Sequence, residues 1–117
     1  MNIYAVSEEM EVAQFFTIEE KMHEYAINRA KEIIDSIFKD EWSRMDLLEL
    51  KHTEEERLDY LLSWHSLPIE AGEVEPDDGR IDPEWFGYSN GGYVYNCPWA
   101  KDIIRDYALM KLHSIED

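Results

Sequence analysis

The sequence predicts an α+β domain in which about four helices pack with a small antiparallel sheet, and the sheet contains a hairpin in the C-terminal half. Three observations lead there. Thr17-Ile-Glu-Glu20 and Thr53-Glu-Glu-Glu56 each place a hydroxyl three residues ahead of a glutamate, the pattern of a helix-opening capping box. Apolar residues then recur at three- and four-residue steps, as on one face of a helix. Late in the chain, aromatic and β-branched residues flank Ser89-Asn-Gly-Gly92, a hairpin signal. With 117 residues, 44% of them hydrophobic and 13% aromatic, the chain is one domain's worth and is too apolar for a disordered acidic tail.

Residues Ile3 to Ser7 alternate briefly and read as an edge strand. Glu8 to Phe16 is ambiguous between strand and helix. The first capping box opens a long helix to about Lys39, with Met22, Ala26, Ala30, Ile33 and Ile37 on its inner face and Ile27, Ile34 and Phe38 widening that stripe. Asp40 to Lys51 reads as a shorter helix carrying Trp42, Met45 and Leu48. The second box opens a third helix to about His65, with Leu58, Leu61, Leu62 and His65 inward. From Ser66 to Pro83 the periodicity stops, and Pro68, Gly72, Pro76, Gly79 and Pro83 punctuate a long loop. The hairpin runs from Glu84 to Asn96 and turns at Ser89–Gly92. Pro98 opens the last helix, which reaches about His113 with Trp99, Ile103, Tyr107 and Met110 on one side.

Charge is the unusual property. The chain has 27 acids and 11 bases, a net of −16 at pH 7, where small soluble domains carry a net charge of about 2 to 8 in magnitude. The excess is uneven. Residues 40–84 hold 15 acids against 4 bases, a net of −11, while residues 85–117 are nearly balanced. Side chains three or four apart on a helix lie about 5–6 Å apart at Cβ. Glu55, Glu56 and Asp59 therefore form a cluster, and Asp40, Glu41, Asp46 and Glu49 extend it on the preceding helix. The loop adds Glu70, Glu73, Glu75, Asp77, Asp78, Asp82 and Glu84. Such carboxylates attract a basic partner and repel nucleic acid and anionic lipid, so neither direct DNA or RNA binding nor membrane binding is expected. A solvated acidic surface is the plain alternative.

Catalytic and metal signals are weak. Glu20…His23 and Glu49…His52 have the Glu-x-x-His spacing of carboxylate-bridged di-iron bundles, yet a chain with 27 acids and 4 His gives such pairs by chance. Placing Gly79 at the glycine of a calcium loop puts Val74 and Trp85 at ligand positions, which excludes that loop. No Gly-rich phosphate loop, nucleophile elbow or metalloprotease helix is present. Cys97 is a single cysteine, which fits a reducing cytoplasm and reads as a small buried residue. Trp85, Phe86, Tyr88, Tyr93 and Tyr95 read either as partner-facing anchors or as an aromatic sheet face. No catalytic residue, metal or cofactor is expected, nor is a leader or membrane span.

In length, acid balance and mixed architecture the chain resembles the acidic DNA-mimic proteins of bacteria and phages. That group includes a monomeric Neisseria protein that binds the histone-like protein HU. The resemblance involves no shared motif. It implies a monomeric, cytoplasmic, non-enzymatic inhibitor whose carboxylates occupy the DNA-binding face of a basic protein such as HU and compete with DNA. The alternatives are an immunity protein that neutralises a basic nuclease toxin through a compact patch with a central aromatic, or a phage anti-restriction or anti-CRISPR inhibitor.

Overall fold

A computed structural model describes residues 2–9, 11–50, 53–75 and 86–115. The order is β1 (Ile3–Glu8), β2 (Gln14–Phe16), α1 (Glu19–Lys39), α2 (Glu41–Leu50), α3 (Glu54–Leu61), β3 (Ile69–Glu75), β4 (Gly87–Tyr93), a 3₁₀ turn at Val94–Asn96, and α4 (Lys101–Ile115). The four strands form one antiparallel sheet in the order β2-β1-β3-β4. The fold is thus α+β, with a hairpin, β3–β4, in the C-terminal half.

The sheet departs from the sequence reading in three places. β1 is central, paired with β2 on one side and β3 on the other, and Ala5 and Val6, which point to opposite faces, are both buried. The segment read as a long loop contains β3, which pairs along its whole length with β1. Gly72 looked like punctuation, but it has φ 158° and lies opposite Gly91. A Cβ there would stand 2.4 Å from both Asn90 O and Gly91 Cα, so the close approach of two strands selects glycine. Ser89–Gly92 is not a turn. It continues through β4, and a register shift near Glu73/Val74 absorbs the extra residue.

Side chains alternate across the sheet. Val6, Ile69 and Ala71 face the helices and join the main core, with Tyr4 and Phe16 packed against it. Ala5 and Val74 are buried on the opposite face. The rings covering that face belong to Phe15, Phe86 and Tyr88, whose centroids stand 5.2 Å (Phe15–Phe86) and 5.5 Å (Phe86–Tyr88) apart. The Tyr88 hydroxyl bonds Ser7 Oγ at 2.7 Å and donates to the Glu70 carbonyl at 3.2 Å. Burial pushes this phenol up to about 12 despite the Ser7 bond.

The helices meet along two stripes of four-residue steps. On α1 these are Met22, Ala26, Ala30 and Ile34; on α4 and the turn before it they are Ala100, Ile104, Ala108 and Leu112, all buried. The alanines let the two backbones approach. The inner face of α4 is therefore one position round from the expected one: Ile103 and Met110 are exposed, and Tyr107 is half-buried. Tyr107 instead donates to Asp35 Oδ1 at 2.5 Å, where Lys111 Nζ also pairs at 3.0 Å. Burial alone would raise the Asp35 carboxyl, but the Tyr107 hydroxyl and the Lys111 ammonium hold it below its ordinary value. Arg29 clasps the nearly buried Glu8 through two bonds of 2.7 and 2.8 Å and so pins α1 to β1.

The two capping boxes behave differently. Thr53 Oγ1 accepts from Glu56 N at 3.1 Å as expected. Thr17 does not cap α1: the helix begins at Glu19, and the N-cap is Ile18, which offers no side-chain acceptor. α3 stops at Leu61, where Ser63 and Ser66 hydroxyls bond the Tyr60 carbonyl, so His65 is exposed rather than inward. Among the described residues no helix is long and apolar enough to cross a membrane.

Candidate functional site

Two features at opposite ends of α1 are candidates. The molecule is elongated, 52 × 24 × 18 Å, and α1 with its 21 residues spans about 30 Å of that length. The C-terminal end of α1 leads into α2 and α3, which carry the densest charge. Its N-terminal end borders a cavity beneath the sheet.

At the helical end, Glu41, Asp46, Glu49, Glu55, Glu56 and Asp59 are all exposed. None of the six has a Lys or Arg ion-pair partner among the described residues. Asp40 is exposed but engaged. It accepts from Ser43 N at 3.0 Å and Ser43 Oγ at 2.6 Å, capping α2, and these bonds hold its carboxyl below the ordinary value. Glu56 touches Thr53 Oγ1 at 3.2 Å. Glu54, outside the sequence-predicted set, meets His113 Nε2 at 2.9 Å.

Among the described side chains of α2, Leu47 is the one turned fully inward. The face opposite Leu47 bears Glu41, Trp42, Met45, Asp46 and Glu49. Trp42 is 76% exposed and Met45 39% exposed. An indole left in water and ringed by carboxylates is the mix of a binding anchor, because large exposed apolar groups with charged neighbours are enriched at interfaces. On α3, Glu55, Glu56 and Asp59 share a flank at three- and four-residue spacing.

The remaining predicted acids do not continue this surface as one row. Glu70 and Glu73 lie three apart in β3 and so point to opposite faces of the sheet. Glu75 is exposed at the strand's end. Asp77, Asp78, Asp82 and Glu84, with Trp85, lie outside the described residues. So does His52, and with it the Glu49…His52 pair. In the other Glu-x-x-His pair Glu20 is exposed, and it is Glu19 that stands beside His23. Among the described residues no three His, Cys, Asp or Glu side chains are placed to hold a metal ion.

The cavity, about 550 Å³, was not foreseen from the sequence. Its floor is the helix-side face of β3 and β4 at Ala71, Glu73, Asn90 and Gly92. Its walls come from Tyr4, Glu19, Met22 and His23 on one side and Asn96, Cys97 and Trp99 on the other. The His23 ring stacks on Trp99 at 4.0 Å and 11°. His23 Nε2 is buried, 3.5 Å from Glu19 Oε1, and has no hydrogen-bond partner among the described residues. Cys97 is buried, as expected. Burial pushes its thiol up, and Sγ lies 3.6 Å from the Gly92 carbonyl. A thiol in this state packs rather than reacts. These residues come from five separate segments. The signal available in the sequence was the side-chain-free Gly91-Gly92 run, whose meaning depends on lying in a strand.

Comparison with protein families, with characterised proteins and with solved structures finds no match for this chain.

Proposed function

We propose that this protein is a non-enzymatic inhibitor whose carboxylate surface on α2 and α3 binds the DNA-binding face of a basic protein, such as histone-like HU, and competes with DNA. One observation carries the reading: Glu41, Asp46, Glu49, Glu55, Glu56 and Asp59 stand exposed on consecutive helices, without Lys or Arg partners among the described residues. Uncompensated like charges repel one another and weaken the folded state. A cationic partner removes that repulsion on binding, and the attraction speeds and salt-tunes the encounter. DNA-binding faces answer phosphates with Lys and Arg, which carboxylates at several-ångström spacing satisfy equally well.

A second reading, immunity against a basic nuclease toxin, draws support from Trp42. Its exposed indole sits within the carboxylates of α2, and a compact patch around an aromatic anchor suits a single tight partner. Pull-down from bacterial lysate at low and moderate salt separates the two. The DNA-mimic reading expects a DNA-binding protein, recovered at low salt and released by excess duplex DNA. A partner retained against excess duplex overturns competition and supports the immunity reading. Loss of the partner on Glu55→Gln/Glu56→Gln/Asp59→Asn is expected in both.

A further inference from the structure

We infer that the cavity between the α1 N-terminus and the β3–β4 face is a binding site for a small organic cation, an alkylammonium or alkylguanidinium group. Among the described residues the lining carries two carboxylates, Glu19 and Glu73, and no Lys or Arg. They come from different elements, one from the first turn of α1 and one from the middle of β3. Tyr4 and Trp99 add aromatic residues to the lining. Aromatic faces attract cations within about 6 Å, and the stack of His23 on Trp99 fixes one of these rings in place. A volume of about 550 Å³ lies within the range of small-ligand sites.

The pairing fits a cation better than an anion or a purely apolar ligand. An anion would meet two carboxylates with no counter-charge. An apolar ligand would draw water from Glu73 and give neither carboxylate a charge partner, which is unfavourable. An ammonium or guanidinium group gives each carboxylate a charge-assisted bond while its alkyl stem packs on the rings and Ala71. The site is independent of the α2–α3 surface, since α1 separates them.

Gly92 supplies a test that leaves the carboxylates untouched. It lines the cavity, and a Cβ added there meets nothing within 4 Å. Gly92→Leu therefore adds bulk to the cavity lining from a position where its Cβ meets nothing. The experiment is a titration of the full chain, followed by nitrogen–proton NMR at the Trp99 indole. The probes are n-butylammonium and n-butylguanidinium, with n-butanol and sodium chloride as controls. Expected is a saturable shift in the millimolar range with a cationic probe and none with the controls. Glu73→Gln should weaken it about tenfold, as expected for loss of one hydrogen bond to a charged group. Glu19→Gln/Glu73→Gln and Gly92→Leu should abolish it, and Glu55→Gln/Glu56→Gln/Asp59→Asn should leave it intact. A preference for N-acetyl-lysine amide over putrescine would support a partner's side chain as the source, and the reverse a free polyamine. No saturation with either cation, an equal response to n-butanol, or unchanged affinity in Glu19→Gln/Glu73→Gln overturns the inference. None of these outcomes depends on whether α2 and α3 bind a basic protein.

Discussion

The sheet end and the helical end of this molecule solve the same burial problem in opposite ways. The sheet is covered on both faces, by α1 on one side, with α4 packed behind it, and by the Phe15, Phe86 and Tyr88 rings on the other. The helical end is thin: α2 anchors through Leu47 and leaves Trp42 and Met45 in solvent. Charge follows the same division. At the sheet, Glu8 is answered by Arg29, and beyond it Asp35 by Lys111 and Tyr107. On α2 and α3, Glu41, Asp46, Glu49, Glu55, Glu56 and Asp59 stand without a Lys or Arg partner among the described residues. Where burial is deep, charges are paired, because an unpaired charge out of water is costly. Where the chain leaves charges unpaired, it keeps them wet and makes them available to something else.

The strongest test of this contrast asks whether the two ends share one core. Ile34 is fully buried on α1 between them. Ile34→Ala should cost about 2–5 kcal/mol. Urea unfolding followed by far-ultraviolet circular dichroism and by tryptophan fluorescence should show one shifted transition. Two separated transitions would break the picture into independent ends.

The glycines of the β3–β4 pair give the next effect, with opposite signs. Gly72→Ala forces a Cβ to 2.4 Å from backbone atoms that have no room to move, and should cost about 1–3 kcal/mol, the range for overpacking. Gly92→Ala enters open space and should stabilise by about 0.5 kcal/mol, by removing freedom from the unfolded chain. Thermal melts of the two variants decide it, and equal destabilisation would contradict the observed register.

These glycines also explain what the sequence did and did not reveal. The α1 boundaries and the start of α3 were largely legible, because a hydrophobic stripe and one capping box are local signals, whereas α3 ends at Leu61 and not near His65. β3 was not. Its glycine, the prolines around it and its three glutamates read as loop chemistry, and only a partner strand distant in sequence makes Gly72 a strand residue. The same blindness hid the cavity, whose Glu19, His23, Glu73 and Trp99 meet only after the sheet forms. In α4 the period was visible but the phase was not. Ile103 and Met110 are as apolar as Ile104 and Leu112, and the small Ala108 that decides the packing carries little weight in a hydropathy count. The acidic surface was half legible. Its helical part follows from spacing, but β3 sends Glu70 and Glu73 to opposite faces.

The paired-charge side of the contrast is tested by acid. The Asp35 carboxyl is held below its ordinary value in the folded state, so its contribution is present above the unfolded value near 3.9 and fades as pH falls through the lowered folded value. Asp35 is about one-third exposed, so solvent screens the pair, and Asp35→Asn should cost only about 0.5–1 kcal/mol at pH 7. The gap between parent and variant should close below about pH 4. A gap that persists at low pH would mean that packing of the side chain, rather than its charge, ties α1 to α4.

The smallest expected effect on stability falls on the most exposed large apolar residue described at the helical end. Trp42→Ala removes an indole that is 76% exposed and should change stability by no more than about 0.5 kcal/mol, the usual range at the surface. Leu47→Ala, five residues along the same helix but fully buried, should cost about 2–5 kcal/mol. The two substitutions separate holding the helix from using it. If Trp42 is an anchor, its loss should weaken capture of the basic partner by about thirtyfold, the scale of a hot-spot tryptophan, in protein whose melting curve is unchanged. A neutral effect on both melting and capture would return Trp42 to ordinary surface and leave the carboxylates to carry binding alone. That outcome would favour an extended electrostatic contact over a compact anchored one.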